Sequence, residues 1–264
     1  MQVISKSEKI VVFDLDETLG SFVELGIFWD AIEHILKIKS EEHFFEVLDL
    51  FQEFIRPNIL QILKFLKNKK RKKICSKVMI YTNNQGPKSW AQMISNYFNY
   101  KLNTKLFDQI IAAFKVRGKQ IEICRTSHEK SVDDLIRCTK MPKNTQICFL
   151  DDQYHPLMED ESVLYINVKP YDHSIPFHEL ANEYHQHFKL TIDKQKFIDD
   201  IIKFMKEYKY NVLPKTEEEY SVDKIVGKQM LLHLEEFLGK DNTKSKTRKK
   251  INNKKGKTKK RNKL

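Results

Sequence analysis

Glycine is scarce in this chain, because only seven of its 264 residues are glycine. The sequence contains neither a G-x-x-x-x-G-K-[ST] segment nor a G-x-G-x-x-G segment. The glycine-rich loops that bind nucleotide phosphates are therefore excluded. A G-x-S-x-G segment is missing as well, which excludes the nucleophile elbow of serine hydrolases.

Long hydrophobic runs are also missing, since no apolar segment approaches the roughly 20 residues that a membrane-spanning helix needs. The first nine residues are polar and lack the apolar region of a secretory signal. We therefore expect no membrane partner and an intracellular protein, cytoplasmic or nuclear, that is not secreted. The four cysteines form no C-x-x-C pair, which favours free thiols in a reducing compartment. They are Cys75, Cys124, Cys138 and Cys148.

The positive charge is concentrated at one end of the chain. The formal net charge is +11, and residues 241–264 alone carry twelve lysines and arginines against the single acid Asp241. The remaining charges therefore cancel. This tail has almost nothing apolar to bury, so we expect it to be disordered. Two interpretations stay open: non-specific nucleic-acid binding, or a solvated or targeting segment.

Apolar residues make up 41% of the chain, which is enough to form a core. Short apolar segments that suit buried parallel strands alternate with segments of helical periodicity. This alternation predicts an α/β fold, a doubly wound and mostly parallel five-stranded sheet. The predicted strands span residues 10–13, 78–81, 107–113, 146–150 and 163–168.

The predicted elements divide the chain into three parts. Residues 1–188 form the α/β domain, residues 189–240 a C-terminal helical extension, and the basic tail follows. Within the first part, residues 21–54 are a helical insertion after the first strand. Such an insertion is either a small cap that leaves a cleft open to bulky substrates or a helical hairpin that completes the core.

Polar residues follow three of the predicted strands, at Asp14, Thr82 and Asp151. Ligands of parallel sheets bind beyond these carboxyl ends. Asp14 and Asp16 would repel each other if held close, unless they share a proton or a cation. A magnesium ion would relieve that repulsion. The alternative is an ordinary turn with both acids solvated.

The segment F-D-L-D-E-T-L at residues 13–19 resembles the first motif, D-x-D-x-[TV], of the haloacid dehalogenase superfamily. The resemblance implies the fold expected above and a phosphatase activity. It implies that Asp14 attacks phosphorus to form an aspartyl-phosphate. Asp16 would protonate the leaving oxygen and then activate water, and Thr18 would have a structural role.

Further motifs of the superfamily match in order and spacing. The second places a hydroxyl after the next strand, where Thr82 and the neighbouring Asn83 would bind the phosphoryl group. The third supplies a lysine that neutralises phosphoryl charge. Lys130 fits best, and Lys115 and Lys119 are competitors.

The fourth motif is a pair of acids after an apolar strand, matched by C-F-L-D-D at residues 148–152. The resemblance implies a Mg²⁺ ion held by Asp14, the main-chain carbonyl of Asp16, and Asp151, with Asp152 as ligand or outer partner. The histidines lack metal-ligand spacing. His155 follows Asp152 closely; we expect it at the surface, and a place in the lining of the site is the alternative.

The segment I-R-P-N-I-L at residues 55–60 is similar to the R-P-G-x-x-x-F-L stretch of the carboxy-terminal-domain protein phosphatases. It departs from that pattern at Asn58, and residues 19–21 read L-G-S where that group has L-V-H. The similarity implies a phosphoprotein or another bulky phosphoester as substrate. Two alternatives stay open: a catalytically silent binding module that the tail tethers to nucleic acid, and a nucleic-acid 3′-end phosphatase.

Overall fold

The computed structural model describes residues 7–212 and 215–240. Its main sheet has five parallel strands in the order β3-β2-β1-β6-β7, so the predicted α/β fold with a doubly wound parallel sheet is confirmed. A separate two-stranded hairpin, β4 with β5, was not predicted. The strands are β1 (Lys9–Phe13), β2 (Lys77–Tyr81), β3 (Phe107–Ile111), β4 (Lys115–Val116), β5 (Lys119–Gln120), β6 (Gln146–Asp151) and β7 (Val163–Asn167).

Eight helices surround the sheet in the described part of the chain. Helix α6 was not predicted, whereas the other helices lie in segments with the expected periodicity. The helices are α1 (Phe22–Leu36), α2 (Glu41–Leu50), α3 (Ile59–Arg71), α4 (Lys88–Leu102), α5 (Val132–Thr139), α6 (Phe177–His187), α7 (Lys194–Lys206) and α8 (Glu217–Leu238).

The two faces of the sheet carry cores of different size. Side chains alternate along a strand, so Val11 and Phe13 of β1 join the large core shared with α1–α4 and α6–α8. Ile10 and Val12 point the other way, into a smaller core that includes Leu135 of α5. Because both faces are covered, the central strands β1, β2 and β6 are largely apolar.

The predicted insertion forms α1 and α2, and their apolar faces belong to the large core. Phe28 of α1 packs edge-to-face against Phe51 and against Tyr184 of α6. Trp29 packs in the same way against Phe44 of α2. Such aromatic pairs add to the area they bury. The insertion therefore contributes core packing, whatever else it does.

The C-terminal helices pack onto the same body. Helix α7 lies against α6 and α1, and α8 lies against α3 and β7. Gly227 of α8 allows this approach, because a Cβ atom there would stand 2.2 Å from the Pro57 carbonyl oxygen. None of the helices described is long and apolar enough to cross a membrane. The predicted disordered tail, residues 241–264, lies outside the described residues.

The prediction of four free thiols is wrong for two of them. Cys124 and Cys138 are joined by a disulfide, whereas Cys75 and Cys148 are buried free thiols. The segment before α5 folds back along that helix and brings the two Cα atoms to 5.0 Å. Spacing along the chain could not show this approach, since 14 positions separate the two residues.

Candidate functional site

The turn after β1 carries Asp14 and Asp16 beyond the end of the strand. Glu17 adopts a left-handed backbone conformation, φ 58°, and its N–H donates to the Gly20 carbonyl oxygen at 2.7 Å. Gly20 is required here, because a Cβ atom would stand 2.4 Å from the Phe54 carbonyl oxygen. The turn thus fixes both carboxylates at the sheet edge where ligands of parallel sheets bind.

Arg56 anchors this turn from the interior, and its side chain is buried. Its Nε donates to the Thr18 carbonyl oxygen at 2.7 Å, and its Nη2 donates to the carbonyl oxygens of Glu17 and Lys169. Burial lowers the pKa of Arg56 to about 10, which leaves it charged at neutral pH. The arginine satisfies carbonyl groups that the turn leaves without partners in the sheet.

Lys130 lies at the centre of the site, fully buried just before α5. Its Nζ contacts Asp14 Oδ1 and lies 2.6 Å from Asp151 Oδ2. All three residues line a cavity of about 150 Å³. The competing lysines, Lys115 and Lys119, lie on the β4–β5 hairpin and do not line that cavity. Lys130 is therefore the candidate that reaches Asp14.

Three carboxylates surround this lysine and could hold a cation. Asp14, Asp151 and Asp152 each present an oxygen atom, and these oxygens lie within 4.8 Å of one another. Thr18 fixes the position of the Asp152 carboxylate, because its Oγ1 donates to Asp152 Oδ1 at 2.9 Å and accepts from the Asp152 N–H at 3.1 Å. Three acids around one lysine leave negative charge in excess, and carboxylate oxygens are the ligands that Mg²⁺ prefers. This donor set fits Mg²⁺, and the Asp16 carboxylate is outside it.

Burial changes the protonation of the site. It raises the pKa of Asp14 to about 6 against the opposing charge of Lys130. Burial and the neighbouring charge of Asp14 raise the pKa of Asp16 to about 7. Burial alone would lower the pKa of Lys130, but the charges of Asp14 and Asp151 raise it above its ordinary value. Lys130 is therefore a cation near neutral pH, and Asp16 is partly protonated.

Asn84, which the sequence did not single out, holds Asp16. Its Nδ2 donates to Asp16 Oδ2 at 2.6 Å, while Asp16 Oδ1 is buried without a hydrogen-bond partner among the described residues. Two hydrogen bonds fix Asn84 itself. Its backbone N–H donates to Thr82 Oγ1, and its Oδ1 accepts from the Gly86 N–H. Its place in the polar segment after β2 was the only available signal.

Thr82 and Asn83 line the same cavity, as the sequence predicts. The Arg125 guanidinium behind them is buried, and its Nη1 donates to Asn83 Oδ1 at 2.8 Å and to the Thr82 carbonyl oxygen at 3.2 Å. The same nitrogen donates to the Ala112 carbonyl oxygen at 3.0 Å. Arg125 thus ties the loop after β2 to the end of β3. No sequence motif marks this arginine.

The expectation that His155 lies at the surface is wrong. The side chain is buried, with Nδ1 2.8 Å from Glu129 Oε1 and Nε2 3.5 Å from Asp151 Oδ2. The chain folds inward after β6, and the His155 N–H donates to the Tyr165 hydroxyl at 2.9 Å. His155 therefore lies behind Asp151, with its ring next to that carboxylate.

The structure brings all the predicted site residues around one cavity. Asp14 and Asp16 come from the turn after β1, and Thr82 and Asn83 from the loop after β2. Lys130 lies just before α5, and Asp151 and Asp152 lie at the end of β6. No family model matches the chain, and no curated protein matches it. The resemblance to the haloacid dehalogenase superfamily therefore stays a prediction from the sequence.

Proposed function

We propose that this protein is a Mg²⁺-dependent phosphomonoester hydrolase of the haloacid dehalogenase type, acting through an aspartyl-phosphate at Asp14. One observation carries the proposal: Asp14, Lys130 and Asp151, remote in sequence, meet at one cavity. A buried cation between two carboxylates, with a third nearby, is a costly arrangement unless a bound anion and a metal ion complete it.

The first half of the reaction transfers the phosphoryl group to the protein. An oxygen of Asp14 attacks phosphorus, and the bond between phosphorus and the alcohol oxygen breaks. Asp16 gives its proton to that oxygen. Its raised pKa, about 7, suits a proton donor near neutral pH. Lys130 and Thr82 bind the phosphoryl oxygens, and Lys130 offsets the charge that gathers there.

The second half releases phosphate. Asp16, now a carboxylate, accepts a proton from a water molecule whose oxygen attacks phosphorus. The bond between phosphorus and the Asp14 oxygen breaks, so inorganic phosphate leaves and both side chains return to their initial state. Asn84 keeps the Asp16 carboxylate in place for both steps through its 2.6 Å hydrogen bond.

The metal ion belongs to this proposal through the residues that would hold it. Asp14, Asp151 and Asp152 would do so, together with the main-chain carbonyl of Asp16. When bound, Mg²⁺ would neutralise charge on the phosphoryl oxygens. The negative charge in excess around Lys130 supports this assignment.

The substrate and the location follow only from the sequence. A phosphoprotein or another bulky phosphoester, and an intracellular site in the cytoplasm or nucleus, stay predictions. Nucleic-acid binding was one of two interpretations of residues 241–264, which lie outside the described residues.

Phosphate release from an aryl phosphate, with Mg²⁺ or with EDTA, tests the proposal. We expect turnover only with Mg²⁺, and a fall in kcat of at least about 10³-fold in Asp14→Asn, because the nucleophile is lost. Asp200→Asn is the matched control, since Asp200 is paired with Lys196 on the surface of α7. Mass spectrometry of acid-quenched enzyme should find a phosphate on Asp14. Activity without metal, or full activity of Asp14→Asn, would contradict the proposal.

A further inference from the structure

An apolar groove adjoins the catalytic cavity on the side of Asp16. It has a volume of about 390 Å³ and shares Asp16 and Asn84 with the cavity. One wall comes from α1 and the other from the loop after β2 and the start of α4. Its main apolar side chains are Phe22, Val23, Ile27, Pro87 and Trp90.

A glycine shapes the groove. A Cβ atom at Gly26 would stand 3.3 Å from the Trp90 ring, tighter than most contacts of a side chain. The missing side chain therefore lets the indole lie directly against α1. Val23, at 47% exposure, keeps its side chain accessible on the same wall. The result is an apolar groove of about 390 Å³, which is large enough to hold an aromatic ring.

The position of Asp16 indicates which part of a substrate would bind in the groove. Asp16 Oδ2 is held by Asn84, whereas Oδ1 is buried without a hydrogen-bond partner among the described residues. If Asp16 protonates the leaving oxygen, that oxygen lies where the cavity and the groove meet. The phosphoryl group then occupies the cavity beside Lys130, so the carbon attached to the leaving oxygen extends into the groove.

Resting on the proposed function, we infer that the groove binds the leaving group, and that the substrate is a phosphomonoester of an alcohol or phenol with an aromatic ring near the phosphate. The groove lining includes a second carboxylate, Asp30. A leaving group with further negative charge would be repelled by the Asp30 carboxylate. This charge disfavours the nucleic-acid ends considered above, whose neighbouring phosphates are anionic.

Two esters of similar chemical reactivity test the inference. Ethyl phosphate and 2-phenylethyl phosphate both release an alkyl alcohol, so they differ mainly in the ring. We expect kcat/KM with Mg²⁺ to be at least about tenfold higher for 2-phenylethyl phosphate, because binding energy from the buried ring lowers the barrier. Equal values for the two esters would overturn the inference and leave the proposed hydrolysis standing.

A substitution in the groove wall and a matched control show whether the preference for the phenyl ester arises in the groove. Val23→Gln should lower the ratio of the two kcat/KM values by about threefold or more, because a polar amide replaces part of the apolar wall. Val222→Gln is the control: Val222 has a similar exposure, 42%, but lies on α8. An unchanged ratio in Val23→Gln, or an equal fall in both variants, would place the ring elsewhere and overturn the inference.

A binding measurement separates this inference from the hydrolysis. Calorimetric Kd values with Mg²⁺ are compared for propylphosphonate and 3-phenylpropylphosphonate, which cannot be hydrolysed. We expect the phenyl compound to bind at least about tenfold more tightly. If neither ester is hydrolysed but the ring still tightens binding, the proposed function fails and the groove assignment stands. If the ring adds no affinity, the groove assignment fails.

Discussion

Two buried aspartate–lysine pairs in this protein have similar geometry and different surroundings. Lys130 Nζ lies 2.6 Å from Asp151, and Lys215 Nζ lies 2.5 Å from Asp223. At the sheet edge, two further carboxylates surround the single lysine. Beneath α8, a second lysine, Lys169, approaches the single aspartate at 3.5 Å. Negative charge is in excess at the first pair and is offset at the second.

This difference shows what makes a buried ion pair a candidate site. Asp223 is enclosed, and Lys215 also lies 4.4 Å from the centre of the Tyr171 ring, so the second pair needs no further ligand. The first pair lines a cavity and retains negative charge that a cation would balance. Buried pairs stabilise little by themselves. Excess charge beside a cavity is therefore the feature that indicates function.

The largest expected effect comes from replacing the two lysines in turn. Lys130→Met should lower kcat by roughly 10³-fold, because a charge that stabilises the transition state is lost. Lys215→Met should leave kcat within about twofold but lower the free energy of unfolding by about 3 kcal/mol, because Asp223 is then buried with a weaker partner. Steady-state kinetics and urea unfolding measure the two effects. Similar activity losses in both variants would remove the distinction between the pairs.

Mg²⁺ should stabilise the folded protein only by binding beside the Lys130–Asp151 pair. At 100 times its Kd, a ligand that binds only the folded state adds about 2.7 kcal/mol to the free energy of unfolding. We expect a gain of this size in the wild type and in Asp223→Asn, but little of it in Asp151→Asn. Thermal unfolding over a Mg²⁺ series measures the gain. A full gain in Asp151→Asn would show that the ion binds elsewhere.

Much of the fold could be predicted because its signals are local. The strands of the main sheet are short, largely apolar segments, and three of them end at polar residues. This pattern can be read from the sequence alone. Helix α6 carries a weaker signal: among charged and polar residues, only Leu180, Ala181 and Tyr184 are buried. Those side chains gain partners only when α6 packs against α1, α2 and α7. The tertiary contact, rather than the local pattern, defines that helix.

The candidate site divides in the same way. Asp14, Lys130 and Asp151 were predicted because each follows a strand or precedes a helix within a recognisable motif. Asn84 and Arg125 were missed, because their roles depend on how two loops fold toward each other. The inward fold of His155 and the disulfide between the loop and α5 also depend on loop paths that no spacing rule determines.

Glu24 is a third buried acid, and it differs from both ion pairs because no cation lies beside it among the described residues. Glu24 of α1 is buried, with Oε2 accepting from the Ile175 N–H at 3.1 Å and Oε1 lacking a hydrogen-bond partner among the described residues. Burial raises the pKa of Glu24 to about 8, from an ordinary value of 4.5. Between these values the folded protein binds a proton that the unfolded chain has lost, so this residue makes stability fall as the pH rises.

Glu24→Gln should therefore flatten the pH dependence of stability. Relative to the wild type, the free energy of unfolding of the variant should rise by roughly 3 kcal/mol between pH 5 and pH 8, because the amide cannot ionise. Urea unfolding at both pH values measures the gain. The control is Glu218→Gln, an exposed position on α8, which should follow the wild type. Equal slopes for Glu24→Gln and the wild type would show that this carboxyl does not titrate in the folded protein.

The smallest expected effect tests whether the third carboxylate belongs to the metal site. Thr18→Val keeps the volume but removes the hydroxyl that holds Asp152, so Mg²⁺ affinity should fall about tenfold. Thr139→Val is the control. It removes a hydroxyl bonded to the Leu135 carbonyl oxygen within α5, at a cost of about 1 kcal/mol of stability, and should leave Mg²⁺ affinity unchanged. Calorimetry measures both affinities. If Thr18→Val binds Mg²⁺ like the wild type, Asp152 is not a ligand that Thr18 positions, and Asp14 and Asp151 hold the ion without it.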